Sequence, residues 1–260
     1  MLKNKLLVAA LASAFALPVL AEDAPSPFSS NVALTTNYLY RGISQSGAGP
    51  AIQGGFDYAG ASGLYAGAWG SSISWLGDMG IAKDSGIANA GLELDTYAGY
   101  KAAAGDVAYD VGFLRYNYPG TYGANVPTKA DTNEVYGALT YSIVTAKLSY
   151  ALGDLFGISE AKGSTYIDLS AAYPIADSGV TLGLHYGKQT YKGKTADDLK
   201  TAGTDPTYAD YNVSVAKDFG GYVYSLMYSK TNAASGGWYT NPQGKDTGKG
   251  VVVLTLKRAM

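Results

Sequence analysis

Apolar side chains alternate with small or polar ones along most of this sequence, in about twelve segments of roughly nine to twelve residues. Successive side chains of a β-strand point to opposite faces, so each segment has one apolar and one small or polar face. The stretch 180–186, VTLGLHY, is typical. The pattern predicts an all-β chain. By the same rule, Tyr38 and Tyr40 are expected on the apolar face of the first segment. Tyr65 and Trp69 are expected on that of the third.

A soluble β-sandwich and a membrane-spanning β-barrel both show this alternation. The polarity of the second face therefore has to distinguish the two classes. In this chain that face consists mostly of Gly, Ala, Ser, Thr and Asn with scattered carboxylates, whereas solvent faces of soluble sheets are usually richer in Lys and Glu. Charged residues make up 15% of the sequence, below the roughly 25% of a soluble domain. The 23 tyrosines are typical of the aromatic girdles at membrane interfaces. We therefore predict a membrane barrel with a wet lumen.

The connections between the segments alternate between long and short. Residues 76–90 and 190–206 are long and polar, whereas 59–63 is a tight turn. Outer-membrane barrels have an even number of strands, short periplasmic turns and longer extracellular loops. The first connection, 43–50, is a long one, which fits a chain that starts in the periplasm. The predicted fold is a transmembrane antiparallel up-and-down β-barrel of about twelve strands over residues 31–260.

The N-terminal stretch has the features of a secretory signal peptide. Two lysines precede an apolar run over residues 6–17, and small-residue cleavage is available after Ala21. The run is too short to span a membrane as an anchor. We predict that residues 1–21 are removed on export and that 22–30 form a short periplasmic segment. The predicted location is the outer membrane of a Gram-negative cell, with its lipids and the barrel-assembly machinery as partners.

The segment 31–46, NVALTTNYLYRGISQS, resembles the opening of the TorF family of proteobacterial porins. The resemblance continues in 50–58, PAIQGGFDY, and in 63–71, GLYAGAWGS. It also covers 93–95, ELD, with 97–100, YAGY, and the stretch 116–120, YNYPG. Further on, the resemblance is to β-barrels in general. This resemblance implies an outer-membrane pore for small solutes, and the family offers no catalytic residues.

Several function classes are excluded by composition. The sequence has no Cys and one His, which removes disulfides, thiolate zinc sites and multi-His metal sites. A net charge of −2 gives no basic footprint for nucleic acid. We predict no cofactor, no metal and no nucleic-acid partner. Ten side chains are predicted to line the pore: Arg41, Asp57, Glu93, Asp95, Asp110, Glu134, Lys147, Asp168, His185 and Asp210.

The predicted function is passive diffusion of small hydrophilic solutes through a porin-like channel. Acids outnumber bases among the predicted lining residues, which favours a modest preference for cations. The N-terminal segment 22–30 is too short to form a plug. Of the long connections, 76–90 and 118–131 are the candidates to fold inward and narrow the channel.

Two other classes compete with this interpretation. His185 with a carboxylate such as Asp168 on the neighbouring strand would serve an outer-membrane hydrolase, although a hydrogen-bonding lumen residue is favoured. A non-conducting structural or adhesive barrel is the third class. Glu93 and Asp95 share one face and would suit a bound cation or a shared proton. A hydrated acidic wall is the favoured interpretation of that pair.

Overall fold

The computed structural model describes residues 26–79, 87–122 and 128–260. The predicted signal peptide and residues 22–25 of the segment 22–30 lie outside the described residues. Within the described ranges, twelve strands close into one antiparallel barrel. The predicted all-β barrel of about twelve strands is therefore confirmed. No helix among these residues is long and apolar enough to cross a membrane.

Sixteen strands and two short helices are present in the described part of the chain. They are β1 (Phe28–Thr35), β2 (Leu39–Tyr40), β3 (Ile43–Ser44), β4 (Ala51–Ala59), β5 (Leu64–Ser72), α1 (Trp75–Met79), β6 (Ile87–Asn89), β7 (Leu92–Ala104), β8 (Val107–Asn117), β9 (Thr121–Tyr122), β10 (Thr132–Tyr141), β11 (Val144–Ala151), β12 (Thr165–Ile175), β13 (Val180–Thr190), α2 (Lys194–Thr201), β14 (Tyr208–Phe219), β15 (Tyr222–Thr231) and β16 (Val251–Ala259). Two small pairs, β2 with β3 and β6 with β9, stand apart from the barrel.

Pairing between the first and last strands closes the barrel. β1 pairs with β16 from Asn31 opposite Ala259 to Thr35 opposite Thr255, and with β4 on its other side. Every other barrel strand pairs with the barrel strands before and after it in the chain. Both edges of the twelve-stranded sheet are thereby paired, which is what the hydrocarbon core of a membrane requires.

The barrel is apolar outside and polar inside. Phe56, Leu139 and Tyr141 on the outer face are 74%, 59% and 62% exposed, whereas Glu134 and Gln189 on the inner face are 2% and 1% exposed. Soluble proteins bury their large apolar side chains and expose their carboxylates. The inverted distribution is the one that a lipid-facing barrel needs.

Short turns and long connections lie at opposite ends of the barrel, as the sequence predicts. The tight turns follow β4, β7, β10, β12 and β14. In the last of them Gly220 and Gly221 have φ angles of 66° and 84°. Positive φ at both central residues is typical of the type I′ turn, whose twist matches that of the strands it joins.

The face assignment of β5 was wrong. Tyr65 points into the barrel and donates a hydrogen bond from Oη to Asp110 Oδ1 at 2.6 Å. Trp69 also points inward, and its ring centroid lies 5.5 Å from that of Tyr38. The phenol hydroxyl and indole N–H find polar surroundings only inside, so these amphipathic rings turn inward and small residues face the lipid.

A closed barrel of this kind is expected to resist SDS until it is boiled, because all of its strands are paired and unfolding cannot begin at a free edge. We expect unheated gel samples to show a band of the folded barrel, and boiled samples to show a single band at a different mobility. A sample unfolded in urea before loading is the control. Identical mobility in all three samples would contradict the closed barrel.

Candidate functional site

The first long connection folds into the barrel. Residues 36–50, here called the lumen hairpin, contain the two-residue strands β2 and β3 on either side of a tip at Arg41 and Gly42. Both tip residues have positive φ, 47° and 78°, as in a type I′ turn. The connections 76–90 and 118–131 are the ones that the sequence offers as candidates to fold inward, and their residues Leu76, Tyr118 and Ala130 are buried in one cluster with Tyr38 of the hairpin.

Contacts with strands on several sides of the barrel hold the lumen hairpin. Tyr38 Oη donates to Glu93 Oε1 on β7 at 3.1 Å. The carbonyl of Arg41 accepts from Tyr208 Oη on β14 at 2.9 Å. Tyr40 Oη lies 2.5 Å from Tyr116 Oη on β8. The expectation that Tyr38 and Tyr40 face lipid was wrong, because β1 ends at Thr35 and the chain then turns inward.

The Arg41 guanidinium joins the tip to two more strands. Its Nη2 lies 2.7 Å from Glu134 Oε2 on β10, and its Nη1 donates to Gln189 Oε1 on β13 at 2.6 Å. The side chains of Arg41 and Glu134 are only 7% and 3% exposed. Burial alone would lower the pKa of Arg41, but the Glu134 carboxylate holds it well above its usual value. The guanidinium is therefore charged.

Aromatic rings surround this buried ion pair. The Arg41 guanidinium carbon lies 4.3 Å from the ring centroid of Tyr166, 4.8 Å from that of Tyr40 and 5.9 Å from that of Phe156. Ring faces attract cations, and the attraction is stronger where water is excluded. Breaking a buried ion pair by removing one partner costs about 3–5 kcal/mol, so the Arg41 side chain is a strong attachment of the lumen hairpin.

His185 lies between two carboxylates. Its Nδ1 is 3.2 Å from Asp168 Oδ2 and its Nε2 is 2.8 Å from Asp210 Oδ1. Tyr166 Oη donates to the other oxygen of Asp210 at 2.9 Å. Because each ring nitrogen faces a carboxylate oxygen, each has to donate, and the ring carries both protons. A hydrolase base needs one nitrogen free to accept a proton, so this arrangement does not favour catalysis.

Glu93 and Asp95 lie side by side on β7 beneath Tyr38. They are 1% and 7% exposed, so this part of the wall is packed rather than covered by water. Glu93 Oε2 and Asp95 Oδ1 have no hydrogen-bond partner among the described residues. Within the same ranges, no group of three or more His, Cys, Asp or Glu could hold a metal ion.

A second set of polar groups, here called the lower layer, lies nearer the short turns. Tyr97 Oη donates to Asp57 Oδ1 at 2.5 Å, and Tyr65 Oη contacts both Asp110 and Tyr136. These side chains are partly exposed, unlike the carboxylates beside the lumen hairpin. The lumen is therefore more open at this end.

Two lumen bases were missed from the sequence. Lys101 Nζ lies 3.8 Å from Asp110 Oδ2. Lys257 is paired across the sheet with Ala33 and Val223, which are both buried inside the barrel. The alternation reaches both when β7 is followed two steps beyond Tyr97 and β16 one step beyond Thr255, toward the short turns.

All ten predicted lining residues have their side chains inside the barrel. Arg41 differs from the rest, because it reaches the lumen from the hairpin and not from a strand. Lys147 Nζ lies 4.0 Å from the ring centroid of Tyr136. Whether these groups line a conducting path is still a prediction. The enclosed charges among the described residues are Asp57, Glu93, Asp95, Asp110, Glu134, Asp168 and Asp210 against Arg41, Lys101, Lys147, Lys257 and His185. Asp218 shares the inner face, opposite Val223, but is exposed at the short-turn end.

Comparison with solved structures identifies a porin-type barrel. The chain is similar to the KdgM porin, with a TM-score of 0.51 and 7% identity over 89% of this chain and 97% of that one. It is equally similar to the NanC porin, with a TM-score of 0.51 and 10% identity over 89% and 98%. At such identities the likeness concerns the fold alone.

Residues 21–260 match the family described as "Bacterial protein of unknown function (Gcw_chp)", and the chain belongs to that family. No curated protein sequence matches the chain. The family found is thus Gcw_chp, and the more specific resemblance to the TorF porins stays a prediction.

Proposed function

We propose that this protein is an outer-membrane channel for small hydrophilic solutes and that the lumen hairpin sets its narrowest point. The observation that carries the proposal is a closed barrel of the porin type with an apolar outer face and a charged, polar interior. A structural barrel has no need for twelve ionisable groups inside it, whereas a channel uses such groups to select what passes.

The proposed orientation places the long connections outside the cell and the short turns in the periplasm, as in other outer-membrane barrels. The lumen hairpin then enters from the extracellular side. The predicted signal peptide and the resemblance to TorF porins support export to the outer membrane of a Gram-negative cell. Membrane lipids and the barrel-assembly machinery are the proposed partners.

The permeability of proteoliposomes tests this function. We expect liposomes that contain the protein to swell in isotonic solutions of small uncharged solutes, at rates that fall steeply with solute size. Steep size dependence follows from a lumen narrowed by a packed hairpin. Liposomes that carry the heat-unfolded protein are the control, and swelling no faster than in that control would contradict the proposal.

One rival keeps support from a specific observation. Glu93, Glu134, Gln189 and Asp210 are almost fully buried, so the half of the lumen beside the hairpin is packed. Dense packing favours a non-conducting structural or adhesive barrel that works through its long connections. A bilayer that stays sealed after insertion of the protein would support this rival.

The channel is expected to prefer cations modestly. Seven inner carboxylates face four Lys and Arg side chains and the charged His185, and confined acids raise the local cation concentration. The preference should weaken at high salt, because the Debye length falls from about 10 Å at 0.1 M to about 3 Å at 1 M. The reversal potential across a KCl gradient at low salt measures it.

Two double variants show which carboxylates cause the cation preference. Asp57→Asn with Asp110→Asn is expected to move the reversal potential toward zero, because these partly exposed carboxylates border the open end of the lumen. Glu93→Gln with Asp95→Asn is the matched pair, and it should have a smaller effect since both groups are buried. An anion-selective wild-type channel would contradict the proposed charge of the lumen.

A further inference from the structure

A cavity of about 100 Å³ lies between the lumen hairpin and the long connections. It is called the outer cavity here. Hairpin residues 40–41 and 43–45 line one side of it, and Trp75, Tyr118, Phe156, Tyr191 and Trp238 contribute to its other walls. These wall residues belong to four different connections and to α1. In the proposed orientation, a solute entering from outside meets the outer cavity before it meets the hairpin tip.

Aromatic rings make up half of the residues that line the outer cavity. They hold one another in place: Trp75 and Tyr118 meet edge to face with their ring centroids 5.5 Å apart, and Tyr208 and Tyr239 do so at 4.8 Å. Amide and hydroxyl groups, among them Asn241, lie between the rings. Pockets of this composition bind small molecules by apolar contact and use the few polar groups to orient them.

One positive and one negative side chain line the outer cavity. Arg41 and Asp78 are its only charged lining residues in the part of the chain that the structure describes. Arg41 is paired with Glu134 at 2.7 Å, and Asp78 Oδ2 accepts a hydrogen bond from Ser74 Oγ at 2.8 Å, so both groups already have polar partners. Asp78 would repel an anionic solute, and Arg41 would repel a cationic one. An uncharged solute avoids both penalties.

Asn241 keeps hydrogen-bonding capacity for a solute. Its Oδ1 accepts from the backbone N–H groups of Gln243 and Lys245, at 3.1 and 2.8 Å. Its Nδ2 has no partner among the described residues, so it remains a donor toward the cavity that Asn241 lines. A solute with hydroxyl oxygens would accept from it, whereas a hydrocarbon would leave it unsatisfied.

We propose that the outer cavity binds one ring of an uncharged, polyhydroxylated solute, of the size of a monosaccharide. The C–H faces of such a ring pack against aromatic side chains, and its hydroxyl groups reach the amides. The cavity is open on one side, so a sugar ring enters it in part, because about 100 Å³ is less than the roughly 150 Å³ of an engineered cavity that encloses benzene. This inference rests on the proposed channel, for which the outer cavity would be the first binding site on the path.

Tryptophan fluorescence of the protein in detergent tests the inference independently of conduction. Trp75 and Trp238 line the cavity, whereas Trp69 lies elsewhere, on β5. Three probes of matched shape are titrated below neutral pH: D-glucose, D-glucuronate and D-glucosamine. We expect a saturable change with glucose and about tenfold weaker binding of each charged sugar. Tighter binding of glucuronate or glucosamine would overturn the assignment of an uncharged solute.

Variants locate the response. Trp238→Ala is expected to weaken glucose binding about tenfold, as truncating a central ring does at a binding site, and Trp238→Phe should restore most of it. Trp69→Phe is the matched control and should leave the affinity unchanged. Heat-dependent gel mobility verifies that each variant is folded. No saturable response to any sugar would overturn the binding site, whereas failure of the channel itself would appear separately, as the absence of conductance.

Discussion

Replacing Arg41 by Ala is expected to raise single-channel conductance several-fold and to destabilise the barrel. The substitution removes the hydrogen bonds to Glu134 and Gln189 and the contacts with three aromatic rings. It also leaves the Glu134 carboxylate buried without its cation, which costs about 3–5 kcal/mol. The hairpin tip then loses its side-chain attachment to β10 and β13. Planar-bilayer recordings and urea unfolding in detergent micelles measure the two effects.

A matched arginine and a double variant separate the causes. Arg115 pairs with Asp131 at 3.4 Å, but these side chains are 40% and 30% exposed. Exposed pairs contribute at most about 1 kcal/mol, so Arg115→Ala should change neither conductance nor stability appreciably. Arg41→Ala combined with Glu134→Gln should regain part of the lost stability while the conductance stays high. Wild-type conductance in Arg41→Ala would contradict the role of Arg41 in holding the hairpin.

Substituting Gly42 tests the same hairpin by steric means. A Cβ at Gly42 would lie 2.6 Å from Asp210 Cβ and 2.7 Å from Thr231 Cγ2. Asp210 has little room to move because His185 and Tyr166 hold its carboxylate. Gly42→Ala is therefore expected to displace the tip and to raise conductance, with a packing cost of about 1–3 kcal/mol beyond that of the backbone.

Gly236 provides the control for backbone strain. Its φ of 77° equals that of Gly42 within a degree, yet a Cβ there would have nothing within 4 Å. Gly236→Ala should therefore show only the cost of a side chain at positive φ, about 1–2 kcal/mol, and wild-type conductance. Equal behaviour of the two variants would mean that the hairpin tip is not packed against Asp210 in the functioning protein.

Most of the barrel could be predicted from the sequence, because alternation and loop length are local signals. Twelve predicted segments became twelve strands, including β13 at Val180–Thr190. The alternation fixes which residues share a face, and it brought His185 and Asp168 to the same side of neighbouring strands. The alternation does not fix which face points inward where one face is aromatic and the other consists of small residues. For this reason the predicted faces of β5 are reversed.

The lumen hairpin could not be predicted from alternation. The residues from Val32 to Arg41 keep a period of two, and this alternation alone predicts a first strand that continues through Tyr40. In the structure β1 ends at Thr35, and the period continues in the paired strands β2 and β3. Arg41 and Gly42 were a local sign of a turn, but their partners Glu134 and Gln189 lie far along the chain. Only the closed barrel brings those residues together.

Single-channel conductance in planar bilayers tests the central claim most directly, that this barrel is a channel narrowed by residues 36–50. The wild-type protein is compared with a variant in which a short Gly-Ser linker replaces residues 38–49, after gel mobility has shown that both are folded. We predict small, stable conductance steps for the wild type and steps several-fold larger for the variant. A bilayer that stays silent with both proteins, or equal conductance of the two, would contradict the account.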